Sequence, residues 1–145
     1  MIQRIQSIYL FIASFGFLGQ FVTDFATSTK PIPYLMADQI YEVQDSPVLV
    51  AMAVLGALVA IGAIFVYNNR PLQQKLSIFT IISAIFLPLI AFLLIYNEKT
   101  PKDGFSEIHD QAGLYIMAIP IIFGFLAYKS IGKDDKLVRS MDRLR

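Results

Sequence analysis

His109 is the single histidine of the chain and its best-suited side chain for proton transfer or metal binding. It lies in the tetrapeptide Glu107-Ile108-His109-Asp110, with acidic residues one and two positions away. This spacing leaves a metal ion under-coordinated by one imidazole and matches no standard set of zinc ligands. We therefore expect His109 to be a solvated loop residue, and we predict no cofactor, metal site or catalytic residue.

The apolar part of the chain offers no other groups for catalysis. Cysteine is absent, and no acid, base or histidine falls within four uncharged stretches of 18 to 24 residues. General acid–base catalysis and covalent catalysis both need such groups. The sequence therefore predicts that the protein is not an enzyme.

The same four stretches define the class of the protein. The predicted spans cover about residues 5–23, 47–67, 76–96 and 112–129, in a chain that is 56% hydrophobic and 16% charged. At 1.5 Å per residue, each is long enough, or nearly so, to cross a hydrocarbon core of about 30 Å. The sequence thus predicts an all-α integral membrane protein, a single domain over 1–145 with four transmembrane helices in an antiparallel bundle. A soluble globular domain is excluded, and the net charge of +1 excludes a nucleic-acid partner.

The distribution of lysine and arginine predicts the orientation of the bundle. Nine basic residues fall on the side that holds both termini, against three on the side of the two longer loops. Segments rich in Lys and Arg remain in the cytoplasm, so both termini are predicted to be cytoplasmic. The apolar run from Ile5 to Val22 exceeds the usual core of a signal peptide, and we expect it to remain as a membrane anchor.

The connections between the spans differ in character. Residues 68–71, Asn-Asn-Arg-Pro, predict a tight turn between the second and third spans. In the first outer loop, Met36, Ile40 and Val43 recur at i, i+4 and i+7, which predicts a short helix on the membrane surface. In the second outer loop, the composition of residues 99–104 predicts a turn.

Small residues recur at helical spacing within each span and predict the packing faces. Lipid exerts little hydrophobic force between helices, so residues that permit close backbone approach mark the contacts. Pro88 and Pro120 each remove a backbone donor midway along a span, which favours a kink. The faces expected to line the inside of the bundle are Gln6, Tyr9, Ala13, Gly16 and Gln20; Ala53, Gly56, Ala60, Ala63 and Tyr67; Ser77, Thr80, Ala84, Pro88 and Ala91; and Met117, Pro120, Gly124 and Ala127.

The segment 130–145 is predicted to be a cytoplasmic amphipathic helix. Its apolar residues recur at i, i+4 and i+7, and arginines alternate with them. Three arrangements stay open: a helix lying on the anionic leaflet, docking onto a cytoplasmic partner, or a plain continuation of the fourth span. The residues predicted to contact a partner or lipid are Leu137, Arg139, Met141, Arg143 and Leu144.

Two terminal motifs carry a resemblance to a known family. The chain opens with MIQRIQSIYL at residues 1–10 and ends with DKLVRSMDRLR at residues 135–145. Together with the four spans, these motifs resemble the bacterial family named domain of unknown function 4293, over essentially the whole chain. The resemblance implies an inner-membrane protein of a Gram-negative bacterium. It brings no activity, cofactor or catalytic residue to these positions.

Small size, plain spans and patterned termini together favour a non-catalytic role. We predict a multi-pass protein of the bacterial inner (cytoplasmic) membrane that serves as an accessory or scaffold subunit of a larger membrane assembly. Besides the lipid bilayer, its expected partner is another membrane protein or a second copy of the chain. The alternative is a small transporter or channel for an apolar or amphiphilic solute, which would use the small residues and prolines as its path.

Overall fold

A computed structural model describes residues 3–29, 31, 35–97 and 108–142 of the chain. These residues form a mostly helical fold with one small sheet. The helices are α1 (Gln3–Gly19), α2 (Pro47–Phe65), α3 (Arg70–Asn97), α4 (Ala112–Ile116) and α5 (Ala118–Asp142). The strands are β1 (Ala26–Ser28), β2 (Ile40–Tyr41) and β3 (Ile108–Asp110), and a 3-10 turn occupies Val43–Asp45.

Three helical segments are long and apolar enough to cross a membrane. They are Pro47–Phe65, Arg70–Asn97 and Ala112–Val138, the last of which includes α4 and most of α5. The predicted first span is a shorter apolar helix, Ile5–Gly19. The prediction of apolar helices long enough to cross a membrane is therefore confirmed for these three segments.

The first helix ends four residues before the predicted end of its span because its last carbonyl groups find other donors. The amides of Gln20, Phe21 and Val22 each bond three residues back, at 3.1 to 3.3 Å, which replaces the α-helical pattern with tight turns. The hydroxyl of Thr23 donates to the carbonyl of Gly19 at 2.9 Å. The polar backbone is thus satisfied without further helix.

The long helices pack so that α1 contacts α2 and α5, and α3 contacts the same two helices. The start of α1 meets the late part of α5, where the Gln6 amide donates to the carbonyl of Ser130 at 3.3 Å. The end of α1 meets the break between α4 and α5, since a Cβ added at Gly19 would lie 3.4 Å from Ile116. α1 is therefore in contact with the segment of α4 and α5 at both ends of the fold, although the two are far apart in the sequence.

The predicted packing faces are confirmed, with three exceptions. Tyr9 on α1 is only partly buried. In every long helix the small residues of the predicted face are buried, among them Ala13, Ala53 and Ala127, each with no exposed surface. Tyr67, however, is 53% exposed because it follows the end of α2. On α3 it is Leu87, at 2% exposed, that fills the interior, while Pro88 is half-buried.

Two glycines allow especially close approach between helices. A Cβ added at Gly56 of α2 would lie 2.5 Å from the ring of Phe17 on α1. One added at Gly16 would lie 2.6 Å from Cδ of Pro120 on α5. Because both distances are below van der Waals contact, these helices interlock directly at this level and leave no space between them.

Pro120 also sets the break between α4 and α5. Proline has no backbone N–H, so the carbonyl of Ile116 loses its usual partner four residues on. α4 ends at that residue, Met117 forms a turn, and α5 begins at Ala118. Pro88, by contrast, lies inside an uninterrupted α3. The expected disturbance is therefore found at one of the two prolines.

The predicted turn between α2 and α3 is found two residues earlier than expected, and Arg70 and Pro71 already belong to the first turn of α3. α2 ends at Phe65 and α3 begins at Arg70, and the Asn69 amide donates to the carbonyl of Val66 at 3.1 Å. The side-chain oxygen of Asn69 accepts from the amide of Leu72 at 3.2 Å, which caps the first turn of α3.

The predicted surface helix over Met36–Val43 is wrong. Instead, β2 pairs with β1, and β1 pairs with β3, to form an antiparallel sheet in the order β2-β1-β3. Asp38 accepts a hydrogen bond from the amide of Ile40 at 3.2 Å, and Gln39 has a φ of 70°. This local turn removes the chain from helical geometry just before the strand. The predicted turn at 99–104 lies outside the described residues.

Candidate functional site

Among the predicted contact residues of the tail, Leu137 lies at the end of the fold where α3 begins and α5 ends, here called the basic end. α5 runs without interruption through Leu137, whose side chain is 52% exposed. Arg139 and Met141 fall on the same helix, although their side chains are outside the described part of the chain. Arg143 and Leu144 follow the last described residue. The described part of the helix therefore runs on directly from the fourth hydrophobic segment, and its contact with lipid or a partner stays a prediction.

An ion pair joins the basic end across two helices. Arg70 donates from Nη1 to the backbone carbonyl of Asp134 at 3.0 Å, and its Nη2 lies 3.6 Å from Oδ2 of the same residue. The two side chains are 24% and 12% exposed, so water screens the pair only in part. This contact fixes the first turn of α3 to the extension of α5.

Polar side chains farther along α3 make additional contacts with α2 and α5, closer to the interior of the fold. The Gln73 amide donates to the carbonyl of Ala63 on α2 at 3.0 Å, and Gln73 is buried. A Cβ at Gly132 would lie 3.0 Å from the amide nitrogen of Gln74, so α3 and α5 approach closely here too. Sequence reasoning missed both glutamines, because a polar residue in the first turn of a span resembles an ordinary interfacial residue.

The opposite end of the fold, here called the sheet end, is formed by the three strands and their flanking turns. Tyr41, Ala26 and Asp110 are directly paired across β2, β1 and β3. Since side chains alternate along a strand, these three lie on one face of the sheet, and Thr27 and His109 lie on the other. His109 is exposed on that outer face, opposite Thr27. The structure does not bring it into contact with the acidic residues of the first loop.

Carboxyl groups crowd the turn after β2. Burial raises the pKa of Glu42 above its usual value of 4.5, and the nearby charges of Asp24, Asp45 and Asp38 raise it further. A hydrogen bond with the Asp24 side chain acts in the same direction, because only a protonated Glu42 can donate it. Burial raises the pKa of Asp45 too, against a hydrogen bond from the Glu42 amide that lowers it. Among the described residues, no group of His, Cys, Asp and Glu side chains has the arrangement of a metal site.

A cavity of about 300 Å³ lies beneath the inner face of the sheet. The sheet forms its roof through Ala26, Tyr41 and Asp110, α3 forms one wall, and the segment around α4 forms the other. Tyr41 is 1% exposed, and its hydroxyl donates to the carbonyl of Ala91 on α3 at 3.1 Å. The lining from α3 and from the α4 region is Pro88, Ala91, Phe92 and Ile95, with Leu114 and Met117 opposite.

One buried polar atom remains without a partner in this region of the chain. Gln20 is 1% exposed and its amide nitrogen donates to the carbonyl of Gly16 at 3.1 Å, but its Oε1 makes no hydrogen bond. It follows the last residue of α1, just before the turn that leads to the sheet. The cavity and this atom are both products of the tertiary fold, and no sequence motif marks either.

A comparison with protein-family models matches residues 2–144 to the domain of unknown function DUF4293. The chain belongs to this family. The resemblance carried by its two terminal motifs is thus confirmed over nearly the whole DUF4293 chain. Neither the curated proteins nor the solved structures contain a match to it. The family description names no activity and no ligand.

Proposed function

We propose that this DUF4293 protein is a non-enzymatic, multi-pass protein of the bacterial inner membrane and an accessory or scaffold subunit of a larger membrane assembly. Its four apolar helices form an antiparallel four-span bundle with both termini in the cytoplasm. The basic end is the cytoplasmic end, and the sheet end lies outside. The distribution of Lys and Arg supports this orientation.

The contacts between helices support four spans rather than three. Gln6 at the start of α1 meets Ser130 late in α5, and Gly16 meets Pro120, so α1 runs along α5 in the opposite direction. α1 is 17 residues long, about 25 Å of helix, and the tight turns after it continue to Thr23. Its exposed side chains include Phe11 and Phe15, at 54% and 57%, which suits a surface solvated by lipid.

The observation that carries the subunit role is the continuous helical extension of α5 beyond the fourth span. Beyond residue 129 the helix continues to Asp142, which adds about 20 Å of helix. An isolated helix of this length is marginal in water, but this one is propagated from the span and held by Arg70 at Asp134. It therefore presents Leu137 at a defined place, as a docking element requires.

The alternative, a transporter or channel for an apolar or amphiphilic solute, is favoured by a different observation. The cavity at the sheet end is mostly apolar, as such a solute requires. Against a path through the bundle stand the close contacts at Gly16 and Gly56, which occupy the space between α1 and its neighbours. The subunit role is therefore preferred.

Co-purification in mild detergent tests the proposal. We expect a stoichiometric membrane protein to accompany the wild-type chain, and to be lost when Leu137 and Met141 are both changed to Ala. A second variant, with Arg139 and Arg143 changed to Lys, keeps the charge but loses the forked donor geometry, and it should also weaken capture.

The matched control is Lys136→Ala, which removes an exposed side chain next to Leu137. It should leave the partner bound. A chain that purifies alone as an oligomer, at normal membrane level, would overturn the subunit role and favour the carrier.

A further inference from the structure

We propose that the cavity at the sheet end binds one acyl chain of a membrane lipid whose headgroup carries a primary amine, with the amine placed at Asp110. This goes beyond the subunit role, and it rests on the proposed function only in that the helices lie in a bilayer. The lining of the cavity, its depth and the charge at its rim carry the argument.

The shape and chemistry of the cavity fit a single aliphatic chain. Its volume of about 300 Å³ is at the lower end of the range of small-ligand sites, which is about 300–1,000 Å³. Its inner walls are the buried side chains of Phe25, Ala91 and Met117. A lining of this kind, mostly apolar with a few polar groups, suits an apolar guest.

The cavity opens on the surface that would face lipid. Phe92 and Leu114, on opposite walls, are 63% and 43% exposed and form its mouth. Both lie within the apolar segments that are long enough to cross a membrane. A molecule dissolved in the bilayer would therefore have direct access between α3 and α4.

Polarity changes along the cavity in the way that an amphiphile requires. From Ile95 to Pro88 the wall on α3 descends by seven residues, about 10 Å, toward the middle of the span. At the other limit stands Asp110, an exposed carboxylate on the sheet. A lipid placed with its chain along α3 would bring its headgroup to the level of this carboxylate.

The charge of the sheet end selects the headgroup. Besides Asp110, the first outer loop carries Asp24, Asp38, Glu42 and Asp45. Over the full sequence the two outer loops hold eight acidic residues against three lysines, a formal net charge of −5. A phosphatidylglycerol-type headgroup would be repelled by these charges. A primary amine is attracted and can donate a hydrogen bond to the carboxylate.

Photo-cross-linking in vesicles tests the inference on the full chain. The probes are phosphatidylethanolamine and phosphatidylglycerol with the same diazirine in the acyl chain, each at low fraction in phosphatidylcholine vesicles. We expect the ethanolamine probe to label the peptides that contain Ala91 and Leu114 several-fold more than the glycerol probe. Unlabelled phosphatidylethanolamine should compete with it.

Three variants separate the parts of the site. Leu114→Trp at the mouth and Ala91→Phe inside the cavity should each lower this labelling at least about fivefold, while the circular dichroism spectrum of Leu114→Trp stays that of wild type. Asp110→Asn should keep chain labelling but bring the ratio of the two probes toward one, a change of roughly two- to fivefold for one partly exposed charge. The control Ile122→Trp, at an exposed residue of α5 that does not line the cavity, should change nothing.

Equal labelling by the two probes in the wild-type chain would overturn the inference, and so would labelling that Leu114→Trp leaves unchanged. Either result would mean ordinary contact with surrounding lipid. Both leaflets of the vesicles carry the probe, so the outcome does not depend on the orientation of the chain. Failure of the subunit role would appear separately, in the co-purification experiment.

Discussion

The hydroxyl of Tyr41 donates a hydrogen bond to the backbone carbonyl of Ala91, 3.1 Å away and 50 positions later in the sequence. Tyr41 belongs to the sheet and Ala91 to α3, so this bond ties the sheet end to one of the long helices. The Tyr41 ring also packs edge-on against Phe25, with centroids 5.5 Å apart. The sheet is thus held by both polar and apolar contacts of one side chain.

Removing the hydroxyl alone should weaken this tie. We expect Tyr41→Phe to lower the free energy of unfolding by about 1 kcal/mol, the usual net value of one hydrogen bond. Tyr41→Ala should cost about 3–5 kcal/mol, because the buried ring is lost as well. Unfolding in mixed detergent, followed by circular dichroism, measures both. Equal losses in the two variants would show that the ring contributes nothing to stability.

Two glycines of α2 offer a matched pair for the close packing of the helices. Gly56→Ala should destabilise by about 1–3 kcal/mol, because the new Cβ would lie 2.5 Å from the buried ring of Phe17. Gly62→Ala should be neutral or stabilise by up to about 1 kcal/mol, because nothing lies within 4 Å and Ala favours the helix. The same unfolding measurement applies, and Phe17→Leu should partly rescue Gly56→Ala.

The ion pair at the basic end is expected to hold the extension of α5, so removing it should loosen this segment. Arg70→Gln removes both contacts with Asp134, and we expect a loss of about 1 kcal/mol and faster tryptic cleavage after Lys133 and Lys136. Lys75→Gln removes one positive charge from an exposed residue of the same helix and serves as control. Unchanged cleavage in Arg70→Gln would show that the span alone holds the extension.

The carboxyl groups after β2 predict a dependence of stability on pH. Because burial and the charges of neighbouring acids raise the folded-state pKa of Glu42 above 4.5, the folded state binds more protons than the unfolded state just above that pH. Stability from this group is therefore full at pH below 4.5 and is lost as pH rises through the folded pKa. Glu42→Gln should raise the unfolding midpoint at pH 7 and change it little at pH 4. Asp110→Asn, which is not among the groups acting on Glu42, is the control.

Single-cysteine labelling checks the orientation, since the native chain has no cysteine. Cysteines at His109 and Lys75 replace two exposed residues at opposite ends of the fold. A membrane-impermeant maleimide added to intact spheroplasts should label the first position and spare the second until the cells are opened. The reverse pattern would contradict a cytoplasmic basic end.

The sequence by itself determined the helices and their inward faces. A chain in lipid must satisfy its backbone internally, so long uncharged stretches can only be helices there. Small residues then show where two helices approach, as Gly16 and Gly56 do. Both signals are local, because spacing along one helix is enough to reveal them.

Only the tertiary structure decided the sheet at one end of the fold and the ion pair between Arg70 and Asp134 at the basic end. The spacing of Met36, Ile40 and Val43 suited a helix, but the chain there pairs as a strand with β1. The partners of these contacts are far apart in sequence: Gln111 donates to Thr27 across 84 positions and Arg70 to Asp134 across 64. A hydrogen bond to a distant segment is stable only once the helices have brought its two ends together. The periodicity of either segment alone therefore does not predict such a hydrogen bond.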